Sequence, residues 1–226
     1  MLAWTLRRLW LAHLLMGATL AGMLALHLGA SLWWMLVGAL ALPPISIASV
    51  LLPSAMAARS PASGKRAVAM GWWWRALVGE YLVNLRLLLL HMPWAVQAPK
   101  VRLPRSMQPC VPVVLVHGFL SNYRAWDDMA AALLKAGHPV LAVNLEPLFC
   151  AMEDYVPQIQ AAVQRLREHT GAAQVALVGH SMGGLVIRTW IRSHGTDQVA
   201  QVITLGTPHV GTKMARLINA PNVRQI

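Results

Sequence analysis

From Leu9 to Ala58 the sequence contains no Lys, Arg, Asp or Glu. As a single helix this run of about fifty residues would measure about 75 Å, far more than the roughly 30 Å hydrocarbon core of a bilayer. The run therefore has to fold back on itself. The spacing predicts a first span from about Leu9 to Gly29 and a second from about Ser31 to Leu52, with Gly29, Ala30 and Ser31 at the turn. Trp33 and Trp34 at that turn fit an aromatic belt at headgroup level. Pro43 and Pro44 fall inside the second span, where they are expected to kink it or break it into half-helices. A cleaved signal peptide is the competing reading, because Arg7 and Arg8 precede the apolar run. It fits poorly: the run is much longer than a signal h-region, and "LGAS" puts Leu28 where a small residue is needed.

Charge divides the chain in the same place. The net charge is +11, but residues 1–110 hold ten Lys/Arg against Glu80 alone, whereas residues 111–226 hold nine against seven acids. The basicity belongs to the apolar half, so it points to anionic lipid headgroups; no helix-turn-helix, zinc-finger or RNP pattern argues for nucleic acid. Arg7 and Arg8 before the hairpin, with Arg59, Lys65, Arg66 and Arg75 after it, predict that both flanks are cytoplasmic. Hydrophobic residues make up 57% of the chain, above the roughly 45–50% of soluble domains, so part of the chain is expected in lipid.

Three regions follow: a transmembrane hairpin over 1–58, a basic linker with an interfacial amphipathic helix over 59–108, and a soluble domain over 109–226. The linker is "RSPASGKR", residues 59–66. The segment "WWWRALVGEYLVNLRLLLLHMPW" after it is helical and apolar but carries Arg75, Glu80, Asn84 and Arg86, which disfavour a third crossing. It reads either as an interfacial helix or as a core helix packed on the soluble domain. Pro93 and the run "QAPKVRLPRSMQP" end it.

From residue 111 strand and helix signals alternate. "VPVVLVHG", "PVLAVNL", "QVALVG" and "QVITLG" read as strands; Tyr123 to Ala136, Val156 to Thr170 and Ser181 to His194 read as helices. That alternation predicts an α/β domain, a parallel sheet covered by helices on both faces with right-handed crossovers. Cys110 and Cys150 have neither metal-ligand nor CxxC spacing, and are expected at opposite ends of the sheet as free thiols.

Gly179-His180-Ser181-Met182-Gly183 matches G-x-S-x-G. Three fixed positions at roughly 7% each recur by chance in about one chain in ten of this length, so the motif takes its weight from context. It stands between an apolar strand and an amphipathic helix, as a nucleophile elbow must. Gly179 and Gly183 leave room for neighbouring backbone, and the helix N-terminus favours developing negative charge. "LVHGFLSNYRAW", residues 115–126, is a strand ending in His117-Gly118, followed by a loop whose amide can face the elbow. Two amides aimed at one point hold a tetrahedral oxyanion; the candidates are those of Phe119 and Met182. His117, Gly118, Gly179, His180 and Gly183 are expected to support the site, with His117 buttressing the loop.

"VLVHGF", "VGHSMGG" and "LGTPHVGT", in that order and spacing, resemble the α/β-hydrolase family, in its bacterial lipase and esterase branch. The resemblance covers residues 111 to about 226 and implies a partial α/β-hydrolase fold after the transmembrane hairpin. It implies a Ser, Asp/Glu, His triad in that chain order, carboxylic-ester hydrolysis, and neither a metal nor an organic cofactor. After Ser181 the sequence offers Asp197, His194 and His209. Asp197 and His194 are expected at the sheet edge opposite the site. His209, in "TPHVGT", is at the correct edge, but relatives use that loop to shape the site. The acid and base are therefore expected outside these 226 residues, in a longer protein.

Two classes of function stay open. One is a multi-pass protein of the bacterial inner membrane, its hydrolase domain on the cytoplasmic side, cleaving carboxylic and most plausibly lipid esters through an acyl-enzyme on Ser181. Thioesterase, amidase or acyltransferase chemistry shares that framework. The other is a catalytically inactive, truncated membrane protein or binding module. "LEPLFCAMEDY", residues 145–155, is expected near the pocket entrance.

Overall fold

A computed structural model describes residues 1–59, 70–105, 110–212 and 221–225. Most of the polar linker, with Lys65 and Arg66, lies outside the described residues, as do positions 106–109. The chain divides into two compact units, one of Trp4–Trp94 and the other of Met1–Ala3 with Ala95–Ile226.

The first unit is helical. α1 (Leu2–His27) and α2 (Trp34–Arg59) are both long and apolar enough, by length and composition, to cross a bilayer. The turn forms where glycine permits it. Gly29 has φ +64°, its N–H bonds to the Leu26 carbonyl at 3.3 Å, and the Ala30 N–H reaches the Ala25 carbonyl at 2.7 Å. These are the two bonds of a left-handed glycine cap at a helix C-terminus. Trp33 and Trp34 stack at 4.5 Å beside it. α1 and α2 meet through small residues: a Cβ on Gly17 would overlap the Gly38 carbonyl oxygen, and one on Gly22 would stand 2.9 Å from Met35 Cγ. Close backbone approach of this kind packs the two helices through dispersion contacts that a larger side chain would prevent.

One expectation is corrected here. α2 runs without a break through Pro43, Pro44 and Pro53, so the second span is not divided into half-helices. The Pro44 carbonyl accepts from Tyr81 Oη at 3.2 Å. α3 (Met70–Leu85) continues through a π-helical stretch (Arg86–His91) into a 3-10 turn (Met92–Trp94), all within the helical unit. It is tied there by Trp10 Nε1–H donating to the Leu88 carbonyl at 2.7 Å, and by Arg7, which donates to the Pro93 carbonyl at 2.6 Å and lies over the Trp94 ring.

The second unit is an α/β layer structure. Strands β1 (Val113–Val116), β2 (Val140–Ala142), β3 (Val175–His180) and β4 (Val199–Leu205) form one parallel sheet in the order β2-β1-β3-β4. Alternate side chains enter opposite layers, as a period of two requires. Val114, Val116 and Leu177 pack with α5 (Val156–Thr170) and α6 (Met182–His194), while Val113, Leu115 and Ala176 pack with Trp126 and Ala130 at the start of α4 (Asp127–Lys135). Both cysteines are free, Cys110 beside the Ala136 carbonyl and Cys150 beside that of Pro147. β4 is the half-exposed edge of the sheet among the described residues.

Candidate active site

β1 and β3 are adjacent and parallel, so their carboxyl ends deliver His117 and Ser181 to the same edge. Ser181 occupies the turn between β3 and α6 with φ +52° and ψ −125°, a region that non-glycine residues rarely enter. Hydrogen bonds hold it there from both sides: its N–H donates to the Leu205 carbonyl at 2.9 Å, and its own carbonyl accepts from the Gly184 N–H at 3.1 Å. The side chain is partly exposed, and Oγ has no hydrogen-bond partner among the described residues.

The glycines mark where backbones touch. A Cβ on Gly179 would stand 2.6 Å from the Gly184 nitrogen, and one on Gly183 would overlap the Val116 carbonyl oxygen. On Gly118 it would stand 2.9 Å from Ser181 Cβ and 3.1 Å from the His180 carbonyl oxygen. The Gly118 contact brings the Phe119 loop against the Ser181 turn. Met182, the first residue of α6, is one of the helix N-terminal positions whose amide has no intrahelical acceptor. Among the described residues neither the Phe119 nor the Met182 amide donates to a protein acceptor. Gly184 and Thr207 escaped sequence reasoning, although the last glycine of "GHSMGG" was the available signal for the first of them. A Cβ on Gly184 would overlap Thr207 Oγ1, which fixes the loop after β4 against the start of α6.

His117 is buried with both ring nitrogens engaged. Nε2 accepts the Leu145 N–H at 3.0 Å, so Nδ1 carries the proton and donates to the Gly118 carbonyl at 2.8 Å. Burial lowers its pKa to about 4, partly offset by the bond to Gly118. A neutral, doubly bonded ring cannot take a proton from Ser181; it ties the Phe119 loop to the segment after β2. That segment, residues 145–155, reaches the same loop through an edge-to-face contact of Phe149 with Phe119 at 5.8 Å. Tyr155 Oη–H donates to the Pro147 carbonyl at 2.7 Å and Asn222 donates to that of Leu148 at 2.9 Å. Burial raises the Tyr155 hydroxyl pKa well above its usual range. His180 is lowered, also by burial.

The remaining histidines are placed elsewhere. His209 Nδ1 accepts from Arg188 at 3.1 Å, so its proton sits on Nε2, which donates to Thr204 Oγ1 at 3.1 Å. Both nitrogens are thereby used. His194 stacks on Trp190 at the C-terminal end of α6, and the Asp197 carbonyl accepts from Gln174. Both precede β4, at the edge opposite Ser181. Among the described residues no three His, Cys, Asp or Glu side chains gather as a metal site requires.

Comparison with known proteins follows the same division of the chain. A triacylglycerol lipase of Pseudarthrobacter phenanthrenivorans is 34% identical over 118 residues, covering 47% of this chain and 36% of that protein. Another, of Burkholderia plantarii, is 34% identical over 118 residues, covering 47% of this chain and 32% of that protein. The chain thus spans about a third of the length of these relatives. Among solved structures, a Bacillus licheniformis lipase in mature form is 32% identical with a TM-score of 0.47, over 50% of this chain and 48% of that one. The family model for the alpha/beta hydrolase fold matches residues 111–223, which is 113 of 226 positions. On that match the chain belongs to the alpha/beta hydrolase fold family.

Proposed function

We propose that this protein is a membrane-anchored serine hydrolase of carboxylic esters, most readily lipid esters, with Ser181 as nucleophile and the Phe119 and Met182 amides as oxyanion donors. In this reading Ser181 Oγ attacks the ester carbonyl as its proton passes to a histidine base, the tetrahedral intermediate expels the alcohol with that proton, and water then cleaves the acyl-enzyme to release the acid. Residues 1–58 anchor the chain as a transmembrane hairpin, residues 59–108 supply the linker and interfacial helix, and residues 109–226 carry the hydrolase framework. The chain sits in the bacterial inner membrane as a multi-pass protein with that framework on the cytoplasmic side.

The observation that carries the reading is the left-handed φ of Ser181, at the junction of β3 and α6 and against Gly118. Strain at a chemically competent side chain, held by backbone bonds on both sides, supports a role beyond folding. A specific observation also favours a second reading. No histidine bonds Ser181 among the described residues, and His117 and His209 are both fully engaged. By that reading these 226 residues hold an acyl-binding framework without turnover. A fluorophosphonate probe separates the two: an activated Ser181 displaces fluoride and becomes covalently labelled, and Ser181→Ala abolishes the label. Absence of labelling in folded wild-type protein rejects the catalytic reading.

A further inference from the structure

Away from Ser181, the outer edge of β2 is flanked by two cavities. One, of about 430 Å³, is lined by Lys100, Arg102, Arg124 and Asp127 among others; the second, of about 690 Å³, by Arg102, Arg105 and Lys135. Five cations therefore face one acid, and that acid, Asp127, is already paired with Arg124 at 3.0 Å. Lys100, Arg102, Arg105 and Lys135 have no carboxylate partner among the described residues. The count is decisive against the whole unit. Residues 95–226 hold twelve Lys/Arg and seven acids, a balance of +5, of which this edge holds five cations minus one acid, or +4.

The local backbone keeps these cations together. Arg102 pairs antiparallel with Val140 through two backbone bonds, 2.8 and 2.9 Å, which hold the segment around it along the edge of β2. Arg165 adds a longer bond to the Pro99 carbonyl, 3.4 Å. Apolar side chains stand among the charges, with Val96 74% and Leu103 49% exposed. Cationic side chains interleaved with exposed aliphatic ones match a lipid boundary, where headgroup phosphates and the first methylenes lie side by side. Chain connectivity agrees. Lys100 is six residues after Trp94, the last residue of the apolar unit, which limits it to about 21 Å of extended chain from Trp94.

We propose that the β2 edge, through Lys100, Arg102, Arg105 and Lys135, docks the hydrolase unit onto an anionic phospholipid surface. This rests on the membrane-anchoring part of the function proposed above, and not on the chemistry of Ser181. Each basic side chain near an anionic surface contributes about a fivefold factor, so Lys100→Gln, Arg102→Gln and Arg105→Gln together weaken docking by about a hundredfold.

The test uses the full chain in lipid nanodiscs, one set of phosphatidylcholine alone and one with phosphatidylglycerol added. Both sets also contain a headgroup-quencher lipid. The reporter is a fluorophore on Leu103→Cys in a Cys110→Ser, Cys150→Ser background. Docking predicts quenching that needs phosphatidylglycerol, falls at about 0.5 M salt as screening shortens, and disappears in the triple Gln variant. Equal quenching in both lipids, or quenching unchanged by the triple variant, overturns it. Release by inorganic phosphate at a concentration where matched sodium chloride has no effect also overturns it, assigning the cations to a free phosphate instead. Failure of the chain to co-elute with either nanodisc rejects anchoring and docking together, whereas co-elution without phosphatidylglycerol-dependent quenching rejects docking alone.

Discussion

The two units use the same residue types in opposite directions. In the helical unit large aliphatic side chains point outward, Leu26 being 71% and Leu40 63% exposed, while glycines occupy the contact between α1 and α2. In the α/β unit aliphatics point inward, with Val114 and Leu177 both fully buried. Apolar area left in water costs roughly 25 cal/mol for every Å², so the outward face of the first unit calls for cover that the inward-packed unit does not need. Glycine serves both units for one reason, room for another backbone, but against a helix in one and against a strand end in the other.

Five substitutions and one titration break or sharpen that contrast. Gly183→Val places side-chain atoms on the Val116 carbonyl, where no flexible neighbour can yield. The expected cost exceeds about 4 kcal/mol, read as loss of the cooperative denaturant transition of the α/β unit. Leu177→Ala is expected to cost about 2–5 kcal/mol, whereas Leu26→Ala in detergent or bilayer stays within about 0.5 kcal/mol. Comparable losses at both positions in paired thermal melts would show that Leu26 is buried in protein, and the contrast between the units would fail.

His117 sharpens the inward half. Its pKa is depressed from 6.5 to about 4 by burial, so the unfolded chain takes up a proton that the folded chain refuses. Stability is complete above pH 6.5 and falls by about 3 kcal/mol as the pH drops towards 4. His117→Gln is expected to flatten that slope in a pH series of denaturation midpoints. A smaller effect than that of His117 belongs to a hydrogen bond of the helical unit. Trp10→Phe removes one bond to the Leu88 carbonyl and is expected to cost about 1 kcal/mol, measured by detergent-resistant thermal unfolding.

Legibility in the sequence followed the range of the forces involved. α5 begins and ends where its apolar period and Gly171 indicate, because both signals are local. The tight turn at Ser181 was legible because its glycines are fixed by contact distance. β2 is shorter than "PVLAVNL" suggests: past Val143, whose N–H still bonds the Leu115 carbonyl, the chain leaves the ladder, with Asn144 Oδ1 accepting from the Tyr123 N–H and the Leu145 N–H donating to His117 Nε2. Those partners are more than twenty residues away, so no window of sequence reveals them. The expected helix from Tyr123 divides at Trp126, because Asn122 caps a 3-10 turn first. The tautomers of His117 and His209 emerged only once their distant partners were known.

The backbone at position 181 also restricts chemistry by shape. A φ of +52° crowds any side chain that branches at its first carbon, so threonine is excluded there even though it carries an equivalent hydroxyl. Unbranched stems of similar size escape that crowding whether they end in a hydroxyl, a thiol or a carboxylate, so the corner selects the shape of the side chain and leaves its terminal group open.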